Sequence, residues 1–74
     1  MYSNREILNA LTEMFAISTS DLNLLLTADH PPYDYMEKIS KEMQVIQDLK
    51  DLIVEYKSKI AAEDLTSLVI THVQ

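Results

Sequence analysis

The chain has 74 residues, no Cys, no Gly and a formal net charge of −6, from 12 acidic and 6 basic side chains. The missing Cys excludes disulfides and thiolate metal sites, and the missing Gly disfavours tight β-hairpins and phosphate-binding loops. A hydrophobic content of 47% is that of a folded protein, so residues 1–74 are expected to form one small all-α domain with a thin core.

The acidic charge points to protein as the partner class. It opposes binding to nucleic acid or to an anionic membrane, and it favours a basic or neutral protein surface. No apolar run reaches the ~20 residues that would span a bilayer, and residues 1–6 lack the pattern of a signal peptide. We therefore expect a cytoplasmic protein.

The first predicted helix begins near the N-terminus. Ser3 and Glu6 have the spacing of a capping box, which marks a helix start. Apolar residues then recur at intervals of three and four, which gathers them on one helical face. They are Ile7, Leu8, Leu11, Met14 and Phe15. This helix is expected to reach about Ala16.

A second, short helix is predicted after a polar break. Residues 18–21 are Ser, Thr, Ser and Asp, which offer N-caps and compete with helical hydrogen bonding. The helix begins near Asp21 and buries Leu22, Leu25 and Leu26. It must end before His30, because a residue that precedes Pro is disfavoured in the helical region.

The longest predicted helix runs from Tyr35 to about Ala62, with Asp34 and Glu37 at its start. Its apolar residues form two stripes, which together are wider than packing on one neighbour requires. The first stripe is Met36, Ile39, Met43 and Ile46, and the second is Val45, Leu49, Leu52, Ile53, Tyr56 and Ile60.

The predicted fold is therefore two short N-terminal helices packed antiparallel on one long helix, followed by a helical tail. The N-terminal helices are expected to cover the first half of the long helix and to leave the second stripe open. Residues 65–73 have helical spacing but are also β-branched. A lone strand would lack a pairing partner within the chain, so a helical tail is favoured.

Several short patterns are weighed against simpler interpretations. His30 and His72 lack the spacing of a metal site. The Tyr-x-x-Met pattern that begins at Tyr33 matches a docking motif, but the two prolines before it favour the simpler interpretation of a Pro-stiffened turn. Asp48 and Glu55 lie on an exposed helical face, which does not create an acid/base site. A helix-turn-helix would have a recognition helix without Arg or Lys. We expect no enzyme, and no catalytic, cofactor-binding or metal-binding residues.

The sequence thus predicts a protein–protein interaction module, a regulatory or inhibitory adaptor of bacterial or phage origin that binds a larger protein. A secretion co-chaperone or an assembly subunit is the alternative, and a nucleic-acid-binding regulator is a minor one. A homodimer is expected through the open stripe, which would supply the partner-binding residues. These residues are Val45, Leu49, Leu52, Ile53, Tyr56 and Ile60.

Overall fold

A computed structural model describes residues 1–73, with side chains described as far as residue 66. The chain forms two helices, α1 (Asn4–Leu26) and α2 (Tyr35–Val73), joined by a linker over residues 27–34. No strand occurs among the described residues, and the two helices pack together. The all-α prediction is confirmed. Over this part of the chain, neither helix combines the length and the apolar character needed to cross a lipid bilayer.

α1 is one continuous helix where the sequence predicted two. Its start is as predicted, since the hydroxyl of Ser3 accepts a hydrogen bond from the backbone N–H of Glu6 at 3.1 Å. The break predicted at residues 18–21 is absent. The Thr19 hydroxyl donates to the carbonyl of Phe15 at 2.8 Å, so this side chain bonds within the helix and does not cap a new one. α1 ends at Leu26, before the prolines, as predicted.

α2 begins at Tyr35, as the sequence predicted, and continues without interruption to Val73. The tail is therefore helical, and it belongs to α2 instead of forming a separate element. Of the tail residues predicted from their helical spacing, Leu68, Val69 and His72 lie outside the described side chains.

The two helices run antiparallel. The amide nitrogen of Asn4 donates to the carboxylate of Glu63 at 2.6 Å, and the guanidinium of Arg5 lies 3.2 Å from the carboxylate of Asp64. With the N-terminus of α1 fixed there, equal rise along both helices places α1 beside α2 from about residue 42 to about residue 63. The sequence predicted that the N-terminal helices would cover the first half of the long helix, and the structure shows the reverse. The linker lies level with the first turns of α2, and α1 covers the second half of the predicted helix.

A regular stripe on each helix forms the contact between them, and we call both stripes together the seam. Its residues follow one another in alternating steps of three and four, the 3.5-residue period of helices that supercoil left-handedly. In α2 the stripe begins with Tyr35 and Ile39, which lie level with the linker, and continues along α1 with Glu42, Ile46, Leu49, Ile53, Tyr56 and Ile60; in α1 it is Asn4, Leu8, Leu11, Phe15, Ser18, Leu22 and Leu25. Every seam residue is buried or half-buried, and Ile7 is the one other residue of residues 4–26 and 35–66 that is not exposed.

The resulting core is thin and the molecule is elongated. Among the described side chains only Leu49 and Ile60, at 5% and 8% exposure, count as buried. The radius of gyration is 18.0 Å, whereas a compact domain of this length would have about 11 Å. Each helix therefore leaves both sides of the seam open to solvent.

Candidate protein-interaction surface

The structure divides the six residues predicted to bind a partner. Leu49 and Ile60 are buried in the seam, and Ile53 and Tyr56 are half-buried there. Val45 and Leu52 lie outside the seam, with 42% and 41% of their surfaces exposed. Partner binding by the six stays a prediction, but four of them already pack on α1, so Val45 and Leu52 are the two free to contact another molecule.

One side of the seam is polar. Arg5 and Asp64 form their ion pair there, and further along the same side a shallow cleft of about 330 Å³ opens between the helices. Its floor contains Phe15 and Ile53 from the seam, and its rim is formed by Thr12, Lys50, Val54 and Lys57. We call this side the polar face.

The opposite side of the seam is apolar. Leu52 lies two residues after Lys50, about 200° further around α2, and Met14 lies two residues after Thr12 on α1. Because Lys50 and Thr12 mark the polar face, Leu52 and Met14 lie on the other side. The side chains there form what we call the apolar face. They are Ile7, Ala10, Met14, Ile17 and Leu24 of α1 with Val45 and Leu52 of α2.

The apolar face is open to solvent over most of its length. Met14, Ile17 and Leu24 have between 51% and 64% of their surfaces exposed. The α1 residues of this face repeat the steps of three and four in parallel with the seam, so α1 carries two apolar stripes. This second stripe is the signal in the sequence that could have identified the face. The sequence alone does not separate it from the seam, because Ile7 and Met14 also lie three and four residues from seam residues.

Charged residues also belong to the apolar side, and two of them, Asp48 and Glu55, lie four residues before and three residues after Leu52. Asp21 continues the second stripe of α1 between Ile17 and Leu24, and Lys59 lies one heptad beyond Leu52 on α2. The ammonium of Lys59 lies 4.4 Å from the centre of the Tyr56 ring, which holds it close to the edge of the seam. The ion pairs of the described side chains are Arg5–Asp64, Lys38–Asp34 and Lys41–Glu37. Asp21 and Lys59 take part in none of these.

The other patterns from the sequence do not converge on a site. His30 and Tyr33 are exposed in the linker, and Met36 is exposed on the first turn of α2. Over the described residues, no group of three or more His, Cys, Asp or Glu side chains has the geometry to hold a metal ion. Comparison with protein-family models, with curated proteins and with solved structures found no match.

Proposed function

We propose that this chain is a protein–protein interaction module, a small cytoplasmic regulatory or inhibitory adaptor of bacterial or phage origin that binds a larger protein. The observation that supports this most is the apolar face, whose aliphatic side chains lie exposed along one side of a two-helix hairpin. Monomeric proteins seldom expose a contiguous apolar area of more than a few hundred Å², and larger ones mark interaction sites.

The distribution of polarity supports an interface in preference to a loosely packed core. Lys50, Lys57 and the Arg5–Asp64 pair lie on one face of the hairpin, where Val54 is also exposed, while most of the apolar side chains of α1 outside the seam lie on the other face. Covering apolar surface releases roughly 25 cal/mol per Å², so a protein chain laid on this face would gain most of its energy there. The two open members of the predicted partner-binding set, Val45 and Leu52, belong to this face.

The charge of the chain further restricts the class of larger protein that it would bind. The chain has a net charge of −6, so the field around the molecule favours a target with a basic or neutral surface.

The experiment compares two variants of α2 after the target has been identified by capture with the unaltered chain. Leu52→Glu places a carboxylate on the apolar face, and Val54→Glu makes the same change two residues away on the polar face. Val54 is itself 64% exposed, so it is a matched control. We expect Leu52→Glu to weaken target binding by about 100-fold, or ~2.7 kcal/mol, and Val54→Glu by less than about threefold.

Titration calorimetry with the purified target gives the dissociation constants, and circular dichroism checks that both variants keep the helicity of the unaltered chain. Equal affinities for the two variants would contradict the proposal. So would unaltered chain that captures no target.

An assembly subunit or secretion co-chaperone is the second candidate, and the length of α2 favours it. α2 continues to Val73, about 15 Å past the level at which Asn4 meets Glu63, and an end of this kind is suited to stacking in a larger helical array. A co-chaperone should aggregate when it is produced alone and become soluble with its partner. A sharp, reversible thermal transition of the isolated chain favours the adaptor.

A further inference from the structure

We propose that the apolar face binds one amphipathic α-helix of the target, about 17 residues long, with Lys or Arg side chains beside its apolar stripe. This rests on the proposed function, in which the face is a protein interface, and it specifies the segment of the larger protein that lies there. The hairpin and the bound helix together form a three-helix bundle.

The shape of the apolar face suits a helix. Two helices that pack side by side leave a groove along their line of contact, and a third helix fills such a groove in a bundle. On α1 the apolar stripe runs from Ile7 to Leu24, a length of about 26 Å, which is about 17 residues of a bound helix. Val45 and Leu52 line the α2 side of the groove.

A shallow cavity lies on this side near the end of the hairpin opposite the linker. It has a volume of about 410 Å³ and is lined by Tyr2, Glu6, Ile7, Ala10 and Leu11. Ala10 fills little of this space, so a large apolar side chain of a bound helix can be buried there as an anchor. The carboxylate of Glu6 lies beside the cavity, where it can accept a hydrogen bond from a basic residue next to the anchor.

The side chains of the apolar face favour a helix over an extended segment. They are aliphatic residues and one Met, which are the types that line helix-binding grooves. A Pro-rich segment needs an aromatic-lined groove, and none of the residues that define the apolar face is aromatic. An added strand needs an open sheet edge, which residues 1–73 do not offer because they contain no strand.

The α2 side of the groove is acidic. Asp48 and Glu55 lie before and after Leu52 on the same side of the helix. The amide of Gln44 donates a hydrogen bond to Asp48 at 2.9 Å, but neither carboxylate belongs to an ion pair of the described side chains. Both residues are exposed. They are seven residues apart, or about 10 Å, so two basic residues at the same spacing on an aligned helix can reach them.

The α1 side of the groove is acidic as well. Asp21 lies in its apolar stripe, and Glu6 and Glu13 lie on its outer edge, four residues before Ala10 and Ile17. The single base of α1 is Arg5, which is on the polar face and pairs with Asp64. A bound helix therefore meets carboxylates on both sides of its apolar stripe.

The bases on this side do not cancel the acids. Lys38 and Lys41 lie level with the linker, before the part of α2 that α1 covers, and they pair with Asp34 and Glu37. Lys59 is the one base beside α1 on this side, and its ammonium lies against the Tyr56 ring. A second copy of the chain bound through the same face would bring two acidic surfaces together, whereas a basic helix complements them.

A peptide library tests the chemistry of the occupant. Each peptide has about 18 residues, with Leu in alternating steps of three and four and with Lys, Glu, Gln or Ala at random elsewhere. Phage that display the library are selected on the immobilised full chain. We expect the selected peptides to carry Lys more often than Glu beside the Leu stripe, and to gain helicity on binding in circular dichroism. Equal use of Lys and Glu, bound peptides that are not helical, or no selected peptide overturns the proposal.

Two double variants locate the charge that a selected peptide recognises. Asp48→Asn with Glu55→Gln removes two negative charges from the groove, and Gln47→Lys with Val54→Lys adds two positive charges to the polar face at the same spacing. Both change the net charge equally, so they differ only in place. By fluorescence anisotropy at low salt, we expect the first to weaken peptide binding about tenfold and the second less than about threefold. Equal weakening would show that only the total charge matters, and it overturns the proposal.

The two proposals can fail separately. If Leu52→Glu loses the target but the target segment on the face is extended or acidic, the helix is overturned and the proposed function stands. If Leu52→Glu and Val54→Glu capture the target equally, the proposed function fails. Loss of a selected peptide in Leu52→Glu would still establish that the face binds a basic helix. A chain that sediments above its monomer mass of 8.5 kDa and excludes every peptide from the face shows a second copy there, which overturns the helix.

Discussion

Glu42 is the one acidic residue of the seam, and it lies near the linker. It lies between Ile39 and Ile46 and, by the register of the helices, level with Leu25. One of its carboxylate oxygens, Oε2, is buried and has no hydrogen-bond partner among the described side chains. A buried acceptor without a partner costs about 1–3 kcal/mol, so this position weakens the contact between the helices near the linker.

Replacing Glu42 by Leu is expected to raise the free energy of unfolding by about 1–2 kcal/mol, because an unpaired acceptor is removed and apolar area is buried. Thermal denaturation at one fixed concentration would show this as an increase of several degrees, about 4–8 °C per kcal/mol in a domain of this size. Glu55→Leu is the control, since Glu55 is exposed on the same helix. Its effect should stay within about 0.5 kcal/mol, and equal effects of the two changes would show that Glu42 is not held in the seam.

At the scale of helices, the ends were predictable and the interior of α1 was not. The signals that set the ends are local: the hydroxyl of Ser3 at one helix start, Asp34 before the other, and Pro31 after α1. The continuity of α1 through residues 18–21 depends on α2. Leu22 and Leu25 extend the seam of Leu8, Leu11 and Phe15 only if the helix does not break, and burying them on α2 outweighs the local preference of a polar cluster.

The seam of α2 cannot be identified from the pattern of apolar residues alone. Glu42 interrupts its apolar character, while Met36, Met43, Val45 and Leu52 are apolar residues outside it. Two stripes were therefore inferred in place of one seam with apolar flanks. Which stripe α1 covers depends on how many turns of α2 lie level with the linker and therefore beyond the end of α1. This is a long-range property that the hydrophobic periodicity of the sequence does not specify. Consequently the candidate site could be assigned to α2 from sequence, but its α1 half could not.

Replacing Ser20 by glycine or by alanine tests whether α1 is continuous. Ser20 is exposed on the helix, away from the seam, so its replacement changes backbone propensity with little effect on packing. In a helix interior Gly is less favourable than Ala by about 1 kcal/mol. We expect Ser20→Gly to be less stable than Ser20→Ala by about this amount in urea denaturation. Equal stabilities would place Ser20 in a break, as the sequence alone suggested.

At the scale of the molecule, an elongated hairpin with 64 Å as its longest dimension has too little interior for its apolar residues. The seam takes one stripe of each helix, and the remaining apolar side chains are exposed, many of them on the apolar face. Composition predicts the helical class of such a chain, but it does not show which surplus apolar residues lie together. That depends on the antiparallel register, which the contacts of Asn4 with Glu63 and of Arg5 with Asp64 establish.

If a basic helix covers the apolar face, a peptide of this kind must raise the thermal stability of the hairpin, because a ligand that binds the folded state stabilises it by mass action. At about 100 times its Kd the gain is about 2.7 kcal/mol, or about 10–20 °C in Tm for a domain of this size. Differential scanning calorimetry of the unaltered chain and of Val54→Glu should show this increase. Leu52→Glu should show none, because a carboxylate on the apolar face is incompatible with an apolar stripe laid on it. The homodimer predicted from the sequence has a different signature, a Tm that rises with the concentration of the chain alone. A Tm of the unaltered chain that neither the peptide nor the concentration changes would mean that the hairpin is stable with its apolar face uncovered.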